Sequence, residues 1–254
     1  MEKIKIILCG ACGKMGGNVL SLLADDESAT AVCGVDLYPR EIGIPVYTDF
    51  SQIQESADVI IDFSSPVGLV ERLEYAKAHK LGIVLASTGF SAADLELINT
   101  YAKDVAIFKT ANLSLGVNLM QALIKTAAQV LGNAYDVEII ERHHNLKKDA
   151  PSGTALMLAD TINEAFENEK RIVNGRAGIV GAREKTEIGM HAVRGGTIVG
   201  EHEVMFAGED EIITISHSAR SKRVFAVGAI RAAKFLRKKE AGMYEMKDLL
   251  AEEN

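Results

Sequence analysis

Residues 139–155 read IIERHHNLKKDAPSGTA. Two adjacent histidines, His143 and His144, stand just ahead of two adjacent lysines, Lys147 and Lys148. The run from Asp149 to Thr154 then reads as the start of a helix. Imidazole titrates near neutral pH, so either histidine is an acid/base candidate. Asp149 or Ser152 could cap the helix, and Pro151 suits its first turn. The amides of Ser152, Gly153 and Thr154 would then face outward at the positive end of the helix dipole. Gly153 leaves room for a ligand to touch backbone, the Thr154 hydroxyl adds a donor, and Lys147 adds positive charge. Together these make a seat for a carboxylate. The histidines follow a strand, so their side chains are expected on opposite faces, and Glu141 is placed to orient one of them. A metal site built from Glu138 or Glu141 with the two histidines has no recognised ligand spacing, and no metal is expected. The stretch reads as a site for a small anionic substrate that gains or loses a proton.

A second chemical signal lies at the other end of the chain. GACGKMG places Gly10, Gly13 and Gly16 between an apolar run and a helical pattern. Such a turn lets backbone approach a pyrophosphate and seats it on a helix N-terminus. Asp36 closes a second strand-like run twenty residues after Gly16, where an acid accepts hydrogen bonds from the adenosine ribose and favours NAD over NADP. Lys14 and Arg40 could reach a 2′-phosphate. Cys9-Gly-Ala-Cys12 also matches the C-x-x-C of thioredoxin-like redox turns. Three glycines in one loop are not what a redox turn needs, and Cys9 reads as a small buried strand residue. A dinucleotide loop paired with a proton-transfer site points to hydride transfer.

These residues need elements to position them. Residues 4–8, 30–36, 59–64, 82–88 and 105–112 read as strands. Helical patterns lie between them: 14–24, a stretch opened by Pro66 and running to His79, and 91–102 capped by Ser91. That alternation predicts a doubly wound parallel sheet. After Asn112 the pattern changes: a helix over 118–131, a strand over 137–144, a helix over 152–168, then a polar, Gly-rich stretch over 174–200 with only short strand-like pieces. Residues 198–208 and 210–219 read as an antiparallel pair, and 221–238 as a helix that packs back on the first domain.

Composition limits the partners. The chain has 254 residues, 48% hydrophobic and 25% charged, with a formal net charge of −7. That suits one large or two modest domains and argues against nucleic acid or an anionic membrane surface. The opening MEKIKIILCG runs straight into a strand pattern, so no secretory leader is expected, and no apolar run is long enough for a membrane span. Three cysteines, an odd number, fit a reducing cytoplasm.

ERHHNLKKDAPSGTA closely resembles the H-H-x-x-K-x-D-A-P-S-G-T-A signature of the 4-hydroxy-tetrahydrodipicolinate (dihydrodipicolinate) reductases. GACGKMG, VIIDFSSP, STGF and TANLSLGVN extend the likeness over essentially the whole chain. The resemblance implies an α/β fold: a Rossmann-type doubly wound parallel sheet over 1–112 with 222–254. Into it is inserted an α+β substrate-binding and tetramerisation domain over 113–221. It implies NAD(P)H-dependent reduction of a small cyclic dicarboxylate with loss of water, in lysine/diaminopimelate biosynthesis, by a homotetramer. His143 matches the proton donor, Lys147 the second catalytic position, and His144, Gly153 and Thr154 the substrate contacts; Lys148 matches neither. The cofactor positions are Gly10, Ala11, Cys12, Gly13, Lys14, Met15, Asp36, Ala86, Ser87, Thr88, Thr110, Ala111, Asn112 and Leu113. Ala86-Ser87 stands where many members carry Gly-Thr, and Ser65 where some carry arginine. With Asp36, the latter tilts the expectation toward NADH, and Lys14 and Arg40 leave dual use open. Two rival readings are another two-domain nicotinamide dehydrogenase, and a dinucleotide-sensing redox switch using Cys9 and Cys12.

Overall fold

The computed structural model describes residues 2–252. The chain forms two compact units, Met1–Ser114 with Lys222–Asn254, and Leu115–Ser221, so the second interrupts the first.

The first unit runs β1 (Ile4–Cys9), α1 (Lys14–Leu23), β2 (Ala29–Val35), β3 (Val46–Tyr47), β4 (Val59–Asp62), α2 (Leu69–His79), β5 (Gly82–Leu85), α3 (Ala92–Tyr101) and β6 (Ala106–Lys109). The second holds α4 (Leu115–Leu131), β7 (Asp136–His143), α5 (Gly153–Ala165), β8 (Arg171–Asn174), β9 (Glu187–Arg194), β10 (Gly200–Ala207) and β11 (Ile212–Ala219). The chain then returns to the first with α6 (Arg223–Leu236), β12 (Gly242–Tyr244) and α7 (Met246–Glu252).

The first sheet has seven strands in the order β12-β6-β5-β4-β1-β2-β3, every pair parallel. Parallel strands need crossovers that cover both faces, which is why the central runs are continuously apolar. All four residues of β4 are buried. Leu69, Leu73 and Ala76 of α2 and Ile98 of α3 join Ile7, Ile60, Ile83 and Ile107 of the strands in one core. α6 packs against α1 and β5, and its buried positions are mostly small residues (Ala226, Gly228, Ala229, Ala232, Ala233) that allow close approach. Ser91 caps α3 in a reciprocal capping box with Asp94.

Pro66 does not open α2. The helix begins at Leu69, because Gly68 takes a left-handed φ of +78° and residues 66–69 close a turn instead. The turn is held from below by Arg72, whose guanidinium donates to the carbonyls of Ser65 and Val67 and pairs with buried Asp62 at 3.0 Å.

The second sheet has the order β11-β10-β7-β9-β8. β10 is antiparallel to β7 and β11, whereas β9 runs parallel to β7 and β8. Val137 and Ile139 of β7 meet Met120 and Ile124 of α4 and Leu158 and Ile162 of α5 in its core. The polar, Gly-rich stretch over 174–200, expected to hold only short strand-like pieces, contains β9, an eight-residue strand. Its alternation is masked because Gly189 stands where a side chain would collide with Glu138. The opposite face of the sheet is polar and partly open. Glu138 takes Arg176, Arg183 and His191 at 2.7–3.1 Å. Burial raises its carboxyl, but those partners outweigh it and hold the pKa down to about 2.

Candidate functional site

The first unit gathers one set of predicted residues at the carboxyl ends of its parallel strands, the edge where such sheets bind ligands. Gly10 follows β1, Asp36 follows β2, Ala86 follows β5 and Thr110 follows β6. Gly10 takes φ +73°, and a Cβ there would lie 2.9 Å from the Phe63 carbonyl oxygen. A Cβ on Gly16 would fall 2.3 Å from the Ala11 carbonyl oxygen, so the loop folds back on the helix more closely than any side chain allows. Gly13 is the N-cap of α1, with no side-chain cap and no acid in the first turn. That leaves the helix N-terminus to an external anion, and Lys14 stands exposed at its start.

Asp36 is tied to this loop. Its Oδ2 accepts from the Cys12 amide at 2.9 Å and its Oδ1 from the Tyr38 amide at 3.0 Å. Each oxygen keeps a lone pair for a ribose hydroxyl. The Arg40 guanidinium donates to the Cys12 carbonyl, so a cation and an acid flank the same turn. The Ser87 hydroxyl is buried with no partner among the described residues, and Thr88 beside it is exposed. Thr110 donates to the Asn112 carbonyl and Asn112 accepts from the Ser114 amide at 2.8 Å, a self-bonded turn that carries Ala111 and buries Leu113. Met15 lies in the first turn of α1. The uncapped glycine cradle and the orphaned Ser87 hydroxyl fit a dinucleotide.

The second unit brings together the candidate acid/base residues. β7 alternates, with Val137, Ile139, Glu141 and His143 on the buried face. Glu141 and His143 are therefore neighbours on one face, and His143 Nδ1 lies 2.6 Å from Glu141 Oε2. The strand ends at His143, and His144 begins the following turn, half-buried. The Glu141 carboxylate also accepts from both terminal guanidinium nitrogens of Arg194, each at 2.7 Å, and from the Ser152 amide at 3.0 Å. Burial pushes its carboxyl up, but Arg194, His143 and Ser152 together outweigh burial and lower it.

Ser152 caps α5 through its hydroxyl, which accepts from the Ala155 amide at 3.2 Å. Asp149 is not the cap; it accepts from Lys147 Nζ at 2.8 Å. Pro151 precedes the cap instead of lying in the first turn, because the helix starts at Gly153. The Ser152 amide does not face outward, since Glu141 takes it. Gly153 and Thr154 form the first turn of α5, and a Cβ on Gly153 would meet only open space. Lys148 is exposed.

Two residues of this cluster escaped the sequence reading. Arg194 ends β9, and His202 lies on the buried face of β10. His202 Nε2 is 3.1 Å from Ser152 Oγ, and its ring stands edge-on to His143 with centroids 5.2 Å apart. Burial, with a lesser contribution from His143, lowers the His202 pKa to about 4, so this ring is neutral at physiological pH. The only available signal was the alternation in GEHEVMF, which puts His202 in register with buried Val204 and Phe206.

Two family models match the chain: "Dihydrodipicolinate reductase, N-terminus" over residues 4–113 and "Dihydrodipicolinate reductase, C-terminus" over 116–250. The chain belongs to the dihydrodipicolinate reductase family. The 4-hydroxy-tetrahydrodipicolinate reductase of Caldanaerobacter subterraneus subsp. tengcongensis is 47% identical to it, over 97% of this chain and 98% of the relative. That of Clostridium novyi (strain NT) is 43% identical over 98% and 99%. A dipicolinate-bound dihydrodipicolinate reductase from Paenisporosarcina sp. TG-14 has the same fold, with a TM-score of 0.78 at 23% identity, covering 96% of this chain and 98% of that one. As a member of this family the chain is an oxidoreductase, with a Rossmann-type sheet and an α+β second unit. The redox-switch reading has physical grounds against it as well. Reactive cysteines need thiolate character and access, whereas Cys9 and Cys12 are both buried and burial raises the Cys9 thiol well above its usual range.

Proposed function

We propose that this reductase converts 4-hydroxy-tetrahydrodipicolinate to tetrahydrodipicolinate with loss of water, in lysine/diaminopimelate biosynthesis, using a nicotinamide dinucleotide as hydride donor. The observation that carries this reading is the pairing of His143 with buried Glu141, two residues earlier on the same strand face. A carboxylate on Nδ1 orients the ring and leaves Nε2 as the nitrogen that exchanges a proton with substrate. Hydride addition to a conjugated imine moves charge along the ring system, and His143 supplies the proton that meets it. Gly153 and Thr154 at the start of α5 bind a substrate carboxylate, with His144 as a further contact. Lys147, held by Asp149, supplies the positive charge that draws the dicarboxylate in and acts beside His143. Fixing both carboxylates turns binding energy into orientation of the reacting carbon.

The residues that would hold the dinucleotide are Gly10 to Met15, Asp36, Ala86 to Thr88 and Thr110 to Leu113; when bound, it supplies the hydride. NADH is favoured, because Asp36 accepts from ribose hydroxyls and opposes a 2′-phosphate. Arg40 and Lys14 keep NADPH usable. The second face of the five-stranded sheet, with Ile212 and Val193 exposed among polar side chains, is the surface through which we assign a homotetramer. Three free cysteines suit a cytoplasmic setting.

The test is oxidation of NADH and of NADPH, each followed at about 340 nm, with substrate made in situ from pyruvate and aspartate semialdehyde by the preceding synthase. Turnover is expected with both and faster with NADH. No turnover with either, while calorimetry still records dinucleotide binding, would overturn the substrate assignment.

A further inference from the structure

Four donors converge on the fully buried carboxylate of Glu141: His143 Nδ1, the Ser152 amide and two nitrogens of Arg194. Arg194 reaches further, donating to the Asp149 carbonyl at 2.6 Å. One guanidinium thus ties the strand that carries His143 to the segment that leads into α5. The groups facing His143 come from every element packed on it. They are Glu141 on its own strand, Arg194 on β9, and neutral His202 on β10 with His217 beside it on β11. Lys147 and Asp149 follow in the loop beyond the strand.

The charge balance in this cluster bears directly on an acid. A lone buried carboxylate on Nδ1 would hold the imidazolium in its protonated form and make it a poor donor. A guanidinium alone would expel the proton. Arg194 and Glu141 cancel each other in a two-pronged pair, so the ring keeps its orienting hydrogen bond without a net charge beside it.

We propose that Arg194 and Glu141 are positioning residues that tune His143 as an acid. In the proton step, the Nε2–H bond of imidazolium breaks and its electron pair stays on Nε2. The proton passes to the substrate atom where charge develops, and Nδ1–H remains on Glu141. The ring is left neutral and is reprotonated from solvent. This inference rests on the reading of His143 as the proton donor.

The test is the pH dependence of kcat/KM in wild type, Arg194→Gln, Arg194→Lys and Glu141→Gln. Arg194→Gln leaves the carboxylate uncompensated, so the midpoint at which activity falls with rising pH moves up by about one pH unit. Glu141→Gln leaves the guanidinium uncompensated, so that midpoint moves down. Arg194→Lys, which restores the charge, returns it toward wild type. Lower activity at all pH values with unmoved midpoints would mean a structural role only and would overturn the proposal. Should the glutamine variants fail to fold, Arg194→Met and Glu141→Leu, which remove the charges but keep apolar volume in the cluster, are titrated by NMR at the His143 ring. Displacements of opposite sign support the inference, and coincident curves refute it. His143→Ala is run alongside: if it keeps the wild-type kcat and the same basic limb, the reading of His143 as donor fails, which is a distinct result from failure of the tuning.

Discussion

Two of the turns that lead from a strand end toward a helix N-terminus treat that terminus in opposite ways. Between β1 and α1 the cap is Gly13, no side chain covers the amides, and the first turn holds no acid. Between β7 and α5 the cap is Ser152, whose hydroxyl and amide are both already used, the amide by a buried carboxylate. The first turn is a seat made of backbone, suited to a phosphate whose negative charge meets bare N–H groups. The second is a cluster of side chains, suited to placing a proton at one nitrogen. A backbone seat needs only room, which glycine provides. A proton-transfer group needs its charge balanced and its ring held, which takes partners from several strands.

The contrast can be broken most severely at His143. His143→Ala is expected to lower kcat by about a hundred- to ten-thousandfold, with dinucleotide affinity unchanged by calorimetry. An unchanged kcat would remove the side-chain cluster from the chemistry.

The next largest effect concerns neutral His202. Its folded pKa of about 4 lies below the usual 6.5, so between these values the unfolded chain binds the extra proton. Stability is therefore fully present above about pH 6.5 and drains away as pH falls toward 4, by about 3 kcal/mol in total. Denaturant melts of wild type and His202→Gln at about pH 7.5 and at about pH 4.5 check this. The variant should be less stable at the higher pH and lose less on acidification; equal losses would show that His202 is not the group concerned.

Gly16→Ala tests the backbone seat. Its Cβ would lie 2.3 Å from the Ala11 carbonyl oxygen, so the loop itself must move. Overpacking strain of about 1–3 kcal/mol, if it falls on the bound conformation of the loop, corresponds to a loss of dinucleotide affinity of roughly five- to 150-fold. An affinity equal to wild type would mean that the loop tolerates the shift. The smallest effect is expected at Asp36. Asp36→Ala removes one or two ribose hydrogen bonds, about 0.5–1.5 kcal/mol each. It should lower the NADH preference over NADPH severalfold, and an unaltered ratio of the two kcat/KM values would sink the reading of cofactor choice.

The same contrast explains what could be read in advance. The glycine loop, the capping box at Ser91 and the Ser152 cap are short-range patterns, each completed within a few residues. The pairing of Glu141 with His143 is also local, since residues two apart on a strand share a face. Where local cues misled, a turn was responsible: Gly68 in a left-handed conformation delays α2 past Pro66, and the start of α5 at Gly153 leaves Pro151 outside the helix. Glycine at position 189 hid the alternation of β9, and with it the strand that delivers Arg194.

The sequence by itself determined the alternation of strands and helices, the bare N-terminus of α1 and the acid/base residue types at the end of β7. Each rests on backbone preference and side-chain period over a short span. Only the tertiary structure decided which charges surround His143. Arg194 lies 53 residues from Glu141, and His202 lies 50 from Ser152. They meet because β9 and β10 pair on either side of β7. Strand order is a property of the whole sheet's packing and is written in no single segment of the chain.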